Sequence, residues 1–324
     1  MNMYKNISIL IITLGMLLGA KTSFGQDPEF TQFYSNPLYL NPAFAGSKVC
    51  PRVAVNHRNQ WANLSGSFVT TSASYDQMVS SISGGLGVLV MTDNAAKTMK
   101  TTRFSGMYAY NQAVTRKFSI NLGVEATFFQ KSIDWDKLTF GDMIDDRRGF
   151  VYPSNDIRRD APKSGIDFSA GAIGYTENFF FGFAAHHITE PEETLISGES
   201  KLPMKLTGHA GAIIPIGSGG KYKSSDASVS PNILFRQQGT FTQLNMGVYI
   251  KKGPLTGGIW YRNQDAFITS LGIETDFFKI GYSYDVTVSK LSLASGGSHE
   301  LSLGLNFSCR PKKPKFRTIS CPSF

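Results

Sequence analysis

The twelve residues FSINLGVEATFF, Phe118 to Phe129, constrain the fold of this chain more than any other stretch. Phe118, Ile120, Leu122, Val124, Ala126 and Phe128 fall on one side, and Ser119, Asn121, Gly123, Glu125 and Thr127 on the other. A repeat of two is the signature of a strand with one apolar and one polar face. LNMGVYI (Leu244, Met246, Val248, Ile250) and LSLGLNF (Leu301, Leu303, Leu305, Phe307) repeat it. Soluble sandwiches and membrane barrels share this pattern, and length separates them. A membrane-crossing strand needs about 9 to 11 residues, against about 5 or 6 in globular proteins. The run from Lys117 to Lys131 is too long for most sandwiches, and its second face is rich in the small polar residues of a wet lumen. Phe128, Phe129, Phe179, Phe180, Phe181, Phe277 and Phe278 gather near run ends, as aromatic girdles do. The pattern predicts an all-β fold, a single transmembrane antiparallel β-barrel.

Fourteen such runs are expected: 50–59, 67–77, 83–92, 102–113, 117–130, 165–176, 179–188, 203–214, 229–237, 241–251, 255–263, 266–275, 277–286 and 298–308. An even number is what a single-chain outer-membrane barrel requires, and it predicts that both chain ends lie on the periplasmic side. The long connections 131–164, 189–202 and 287–297 are the fifth, seventh and thirteenth, all odd and so extracellular. Even-numbered ones such as Thr176-Glu177-Asn178 and Lys252-Gly253-Pro254 are mostly tight, the eighth, GSGGKYKSSDASVS, being the exception. A loop of over 30 residues is usually functional or disordered, and the aromatics of the fifth predict that it folds over the barrel mouth. Its Trp135, Arg147, Arg148, Phe150 and Tyr152 are the candidate partner-binding residues.

The start of the chain reads as an export signal. Lys5 precedes an apolar run from Ile7 to Ala20, and Ser23-Phe24-Gly25 supplies small residues at −3 and −1. Cleavage would leave Gln26 first; a retained N-terminal anchor is the alternative, although the run is shorter than the about 20 residues of a spanning helix. No later stretch is apolar for 18 residues. The formal charge of +8 falls to +6 when Lys5 and Lys21 leave with no acidic residue. A basic balance suggests nucleic acid in the cytosol, a partner that an exported protein does not meet. The expected division is 1–25 signal peptide, 26–49 periplasmic or lumenal segment, 50–308 barrel and 309–324 basic periplasmic tail.

The stretch QDPEFTQFYSNPLYLNPAFAGS, followed by RVAVNHRNQW (Arg52 to Trp61) and SASYDQ (Ser72 to Gln77), resembles the start of the PorP/SprF family of type IX secretion outer-membrane proteins. GGLGVLVMTDNAA, YDVTVSKL (Tyr284 to Leu291) and SHELSLGLNF (Ser298 to Phe307) continue the likeness in order. It implies a non-enzymatic, cofactor-free barrel of the Bacteroidetes outer membrane. Such a barrel works with a large secreted adhesin, binding its C-terminal domain and supporting its export and surface retention. It implies other type IX secretion or gliding components, and outer-membrane lipid, as further partners. The tail CRPKKPKFRTISCPSF resembles the SprF side, associated with gliding motility, whereas His57 stands where many members carry Tyr. The alternative is a passive porin or hydrophobic-solute channel, which the polar inner face alone would fit.

The residues before the first strand hold two Asn-Pro steps, both turn formers, and almost no charge. Phe33, Tyr34, Asn36, Pro37, Tyr39, Asn41, Pro42 and Phe44, with Phe30, are expected to pack in the periplasmic mouth or lumen. They would act as a plug, as a docking surface, or merely as the barrel base. Cys50 opens the first strand, Cys309 follows the last and Cys321 lies in the tail. The expected disulfide involves Cys321, as Cys309–Cys321 or Cys50–Cys321, with three free thiols as the alternative. Tail residues Arg310, Lys312, Lys313, Lys315 and Arg317 suit acidic lipid, a periplasmic component, or plain solvation. His186-His187 with Glu190, Glu192 and Glu193 invites a metal, but adjacent strand residues point to opposite faces, so no metal site is expected.

Overall fold

In the computed structural model, residues 26–48, 50–145, 147–154, 161–195, 200–216, 227–289 and 295–309 are described. Fourteen strands form the wall. They are β1 (Arg52–Gln60), β2 (Phe68–Val79), β3 (Gly84–Ala95), β4 (Met99–Ala113), β5 (Ser119–Ile133), β6 (Lys163–Tyr175) and β7 (Phe179–His186). Then come β8 (Lys205–Ala212, resumed in the same register over Ile214–Ile216), β9 (Ala227–Gln238), β10 (Phe241–Lys252) and β11 (Leu255–Arg262). β12 (Ala266–Glu274), β13 (Phe278–Thr287) and β14 (Ser298–Asn306) complete the set. Each pairs antiparallel with its sequence neighbours. β14 pairs with β1, Arg52 opposite Asn306 and Gln60 opposite Ser298, which closes the sheet.

The alternation read from the sequence sets the two faces. Along β5, Leu122, Val124 and Phe128 are exposed outward while Asn121, Glu125 and Thr127 are buried. β14 repeats this with Leu301 and Leu303 outside and Glu300 and Ser302 inside. An apolar exterior around a polar interior inverts a soluble core and suits lipid outside, where closure leaves no unpaired edge. No described helix is long and apolar enough to cross a membrane. Two of the expected girdle residues face the other way: Phe129 and Phe180 occupy inward positions and are 2% exposed. Period two makes this unavoidable, because neighbouring aromatics on a strand cannot share a face.

The connections sort by rim. Those after β5, β7 and β13 share the end of the barrel where β1 finishes, the long-loop rim. The opposite end, where β1 starts and β14 finishes, is closed by a Cys50–Cys309 disulfide with Cα atoms 5.5 Å apart. The expected bridge to Cys321 is therefore corrected, since both candidate partners of Cys321 are used by each other. The register explains it: Arg52 faces Asn306, so the residues just outside the two strands meet across the seam. Cys321, the tail and the leader 1–25 lie outside the described residues.

Candidate functional site: a threaded lumen and its two rims

Residues 26–48 run through the barrel. Asp27 meets three strand ends of the long-loop rim: its amide donates to Gln238 Oε1 (3.0 Å), and its carboxylate pairs with Lys205 (2.5 Å) and His187 (2.7 Å). At the other end Gly46 N donates to Asp76 Oδ2 (2.9 Å) and Lys48 Nζ to Asn306 Oδ1 (3.3 Å), at the disulfide rim. The segment, expected in the periplasmic mouth or lumen, thus lies in the lumen and spans it from rim to rim. Gln26 and Asp27 lie at the rim opposite Cys50 and Cys309.

The sequence makes this path compact. Pro37 starts a one-turn helix, Pro37–Leu40, and Pro42 a 3-10 turn, Pro42–Phe44. Asn41 Oδ1 accepts from Ala43 N (2.9 Å), an ordinary N-cap. Asn36 does not cap; its amide reaches the wall at Ser72 Oγ (2.8 Å). Asn41 Nδ2 likewise donates to Phe183 O (3.1 Å) and Ala172 O (3.3 Å). The aromatics find partners in the lumen: Phe33 edge-on to Trp260 (5.0 Å), Tyr34 to Phe180 (5.4 Å), Phe44 stacked on His209 (5.5 Å), and Tyr39 beneath the Lys205 ammonium (4.8 Å). Where backbone meets backbone the wall carries glycine. A Cβ on Gly85 would lie 2.2 Å from Ala45 O, and one on Gly123 2.3 Å from Ala43 N. The cavities between segment and wall are small, about 50 Å³ beside Lys48 and about 30 Å³ beside Asp27.

The charges anchor it. Arg103 and Lys205 join His187 around Asp27, and His187 also bonds Asp167 (2.6 Å). Burial pushes the Asp27 carboxyl up, but Arg103, His187 and Lys205 together hold it well below the usual carboxylate range. Burial likewise opposes ionisation of Glu29, and Arg262 and Arg236 outweigh it, lowering its pKa. Both guanidiniums contact Glu29, at 3.5 and 3.3 Å. Next in the chain, the wall carboxylate Glu300 accepts the amides of Thr31 (2.5 Å) and Gln32 (3.0 Å), while Arg58 bridges Glu300 and Asp285. A buried charge is retained only when paired and hydrogen-bonded, and here the threaded segment supplies Asp27 and Glu29 to the wall cations and the Thr31 and Gln32 amides to Glu300.

Sequence reading singled out the aromatics and asparagines and missed Asp27, Glu29, Arg58, Arg103, Asp167, Lys205 and Glu300. Its metal argument from opposite faces also fails for His186 and His187. His187 follows the end of β7 with φ 57°, so both rings turn inward, 6.4 Å apart. They are engaged separately, His186 near Glu125 (3.7 Å) and His187 between two aspartates. Among the described residues no group of three or more His, Cys, Asp or Glu is arranged to hold a metal ion.

The fifth connection folds locally. Ile144–Asp145 pairs with Gly149–Phe150; Asp145 accepts the amides of Arg147 and Arg148 (2.9 Å each) and the Tyr152 hydroxyl (3.0 Å). Those bonds keep the Asp145 carboxyl below its ordinary range. Trp135 is buried against Phe140, whereas Ile144, Phe150, Val151 and Tyr152 are half or more exposed. The candidate partner-binding residues therefore split: Phe150 and Tyr152 lie on one exposed hairpin with Arg147 and Arg148, and Trp135 is buried earlier in the connection. The seventh connection reaches inward, placing Glu193 against Lys131 (2.7 Å) and Arg103 (3.9 Å).

A closed fourteen-strand wall, apolar outside and polar within, is the architecture of an outer-membrane β-barrel. Solved structures of that kind are similar in shape. The Pseudomonas putida toluene transporter TodX is 10% identical, covering 89% of this chain and 95% of its own, with TM-score 0.46. The CymD monoaromatic hydrocarbon channel is 12% identical (87% and 95%, TM-score 0.45), and Omp33 of Acinetobacter baumannii 10% (81% and 100%, TM-score 0.45). None is similar enough to say what this barrel binds. Comparison with curated proteins gives no match. The family comparison is decisive: residues 22–305 match the type IX secretion system membrane protein PorP/SprF family, and the chain belongs to it.

Proposed function

We propose that this chain is a non-enzymatic outer-membrane partner of a large adhesin secreted by the type IX system, binding the adhesin's C-terminal domain and retaining it at the cell surface. In this reading the long-loop rim faces outward and the disulfide rim faces the periplasm. The leader 1–25 is cleaved after export, leaving Gln26 free at the outer mouth. One observation carries the reading: the lumen is packed with the chain's own residues 27–48, held by paired buried charges. Cargo is then handled at the rims rather than through the pore. The exposed Ile144, Phe150, Val151 and Tyr152 beside Arg147 and Arg148 have the aromatic and arginine character of protein contact sites. The tail's likeness to the SprF side supports a role in gliding motility.

Affinity purification of the full chain from its native membrane tests this, with mass spectrometry of what accompanies it. An adhesin-sized secreted protein, lost in Phe150→Ser/Tyr152→Ser, is the expected result. Recovery of no large secreted protein would remove the reading. The passive-channel alternative predicts solute uptake by liposomes carrying the intact barrel, which the packed lumen opposes.

A further inference from the structure

The disulfide rim holds a cluster of cations to which the threaded segment contributes Lys48 and the wall the rest. Lys48, Arg52, Lys279 and Glu274 line the 50 Å³ cavity, together with Asn306, and Lys251 reaches Glu274 from β10 (3.1 Å). Arg52 is spent on Asp76, bonding it through two nitrogens at 2.8 and 3.0 Å. Three ammonium groups then share one carboxylate: Lys251 at 3.1 Å, Lys279 at 3.9 Å, and Lys48, whose bond is to the neutral Asn306 amide. Burial, with Arg52 nearby, pushes the Lys48 ammonium down. A cavity that gathers surplus positive charge is stabilised when an anion enters it. The volume admits a group of a few atoms, more than one water.

The faces of the strands decide what kind of anion. Arg52 shares the inward register of Ala54, Asn56 and Arg58; Lys251 that of Gln243 and Asn245; Lys279 that of Gly281, Ser283 and Asp285. These cations face the lumen at the disulfide rim and not the ring of lipid headgroups outside. We propose that this rim is a docking site for an acidic polypeptide segment, whose side-chain carboxylate enters between Lys48 and Lys279. The site is separate from the hairpin at the other rim and stands or falls independently of it.

The probe is a fluorescein-labelled octaglutamate peptide titrated into the full chain in zwitterionic nanodiscs, read by anisotropy. Saturable, salt-sensitive binding is expected, weakened about tenfold or more in Lys48→Gln/Lys279→Gln. Glu274→Gln, which removes the competing carboxylate, should tighten it, and decides the matter alone if the double variant fails to fold. Lys97→Gln/Lys100→Gln, in the turn before β4 and at its start on the long-loop rim, should leave it unchanged. Absence of saturable binding, or equal affinity in all three variants, overturns the proposal. So does full displacement by inorganic phosphate at equal charge concentration, which would mark a small-anion site. Retention of anionic-lipid vesicles without peptide binding would mark a lipid contact and overturn it equally.

Discussion

The two ends of the threaded segment are held by different physics. At the long-loop rim Asp27, Glu29 and Thr31 are tied by ion pairs and charge-assisted hydrogen bonds. At the disulfide rim Ala45 and Gly46 lie backbone to backbone against Gly85, a few residues before a covalent bond to the seam. Charge pairs depend on protonation and on every partner being present; close packing and a disulfide do not. The upper end is therefore the one that pH loosens most, and the lower end is rooted chiefly by packing and by the disulfide.

Breaking the root should have the largest effect. Any side chain at Gly85 would sit 2.2 Å from Ala45 O and 2.4 Å from Gly46 Cα, both backbone atoms that have nowhere to go. Gly85→Val should expel the segment. Single-channel conductance should approach that of a variant lacking residues 27–44, roughly tenfold or more above the native barrel, as a lumen relieved of its filling conducts water. Gly106→Val is the matched control, because a Cβ there meets nothing within 4 Å. Equal conductance in Gly85→Val and the native chain would show that the segment does not close the lumen.

The upper end breaks next. Asp27→Asn leaves Arg103, His187 and Lys205 around a neutral amide, all largely buried. Orphaning a buried charge costs about 3 to 5 kcal/mol, felt here as opening of the segment's first turn. Hydrogen exchange at Thr31 and Gln32 should rise steeply while Gly46 stays protected. Cys50→Ser should cost less, about 2 to 4 kcal/mol against the unfolded chain, seen as a lower temperature of the gel-mobility shift on heating. The lumen should stay closed, since the bond joins wall to wall.

Much of this was legible in advance. A side-chain period of two, held over runs of nine or more residues, fixes strand count, face and rim with no further information, and all fourteen strands are where it put them. The segment's aromatics were equally plain, because Phe33 and Tyr34 have no other dry place to go. Its charges were not. Asp27 and Glu29 looked incidental beside five aromatics, yet their partners sat in view: Arg103, Lys205, Arg236 and Arg262 each occupy a polar-face position. A charge on a lumenal face needs an opposite charge within reach, and pairing those residues with the two acids would have threaded the chain upward. The Cys50–Cys309 bond needed the β1–β14 register, which alternation alone does not supply.

The smallest effect should be the most informative about the latch, because it titrates. Burial pushes the His187 imidazole down, but Asp27 and Asp167 more than reverse this and raise its pKa above the ordinary 6.5. A raised histidine stabilises the docked state fully below its unfolded value, and that contribution is lost as pH climbs through the folded one. Asp27 is depressed, so its share is present above the unfolded carboxylate range and is lost as pH falls through the lower folded value. Docking of the upper end should therefore be flat across mildly acidic pH and loosen on both sides, first in base as His187 discharges, then in strong acid. Arg103 and Lys205 still hold Asp27 after His187 is neutral, which keeps the alkaline step small. Exchange at Thr31 and Gln32, corrected for intrinsic rates, should show that step as pH rises above the ordinary histidine range in the native chain and not in His187→Gln. The acid step should persist in both. If the two proteins exchange alike across the alkaline range, the histidine is a bystander and the upper latch is made of Arg103 and Lys205 alone.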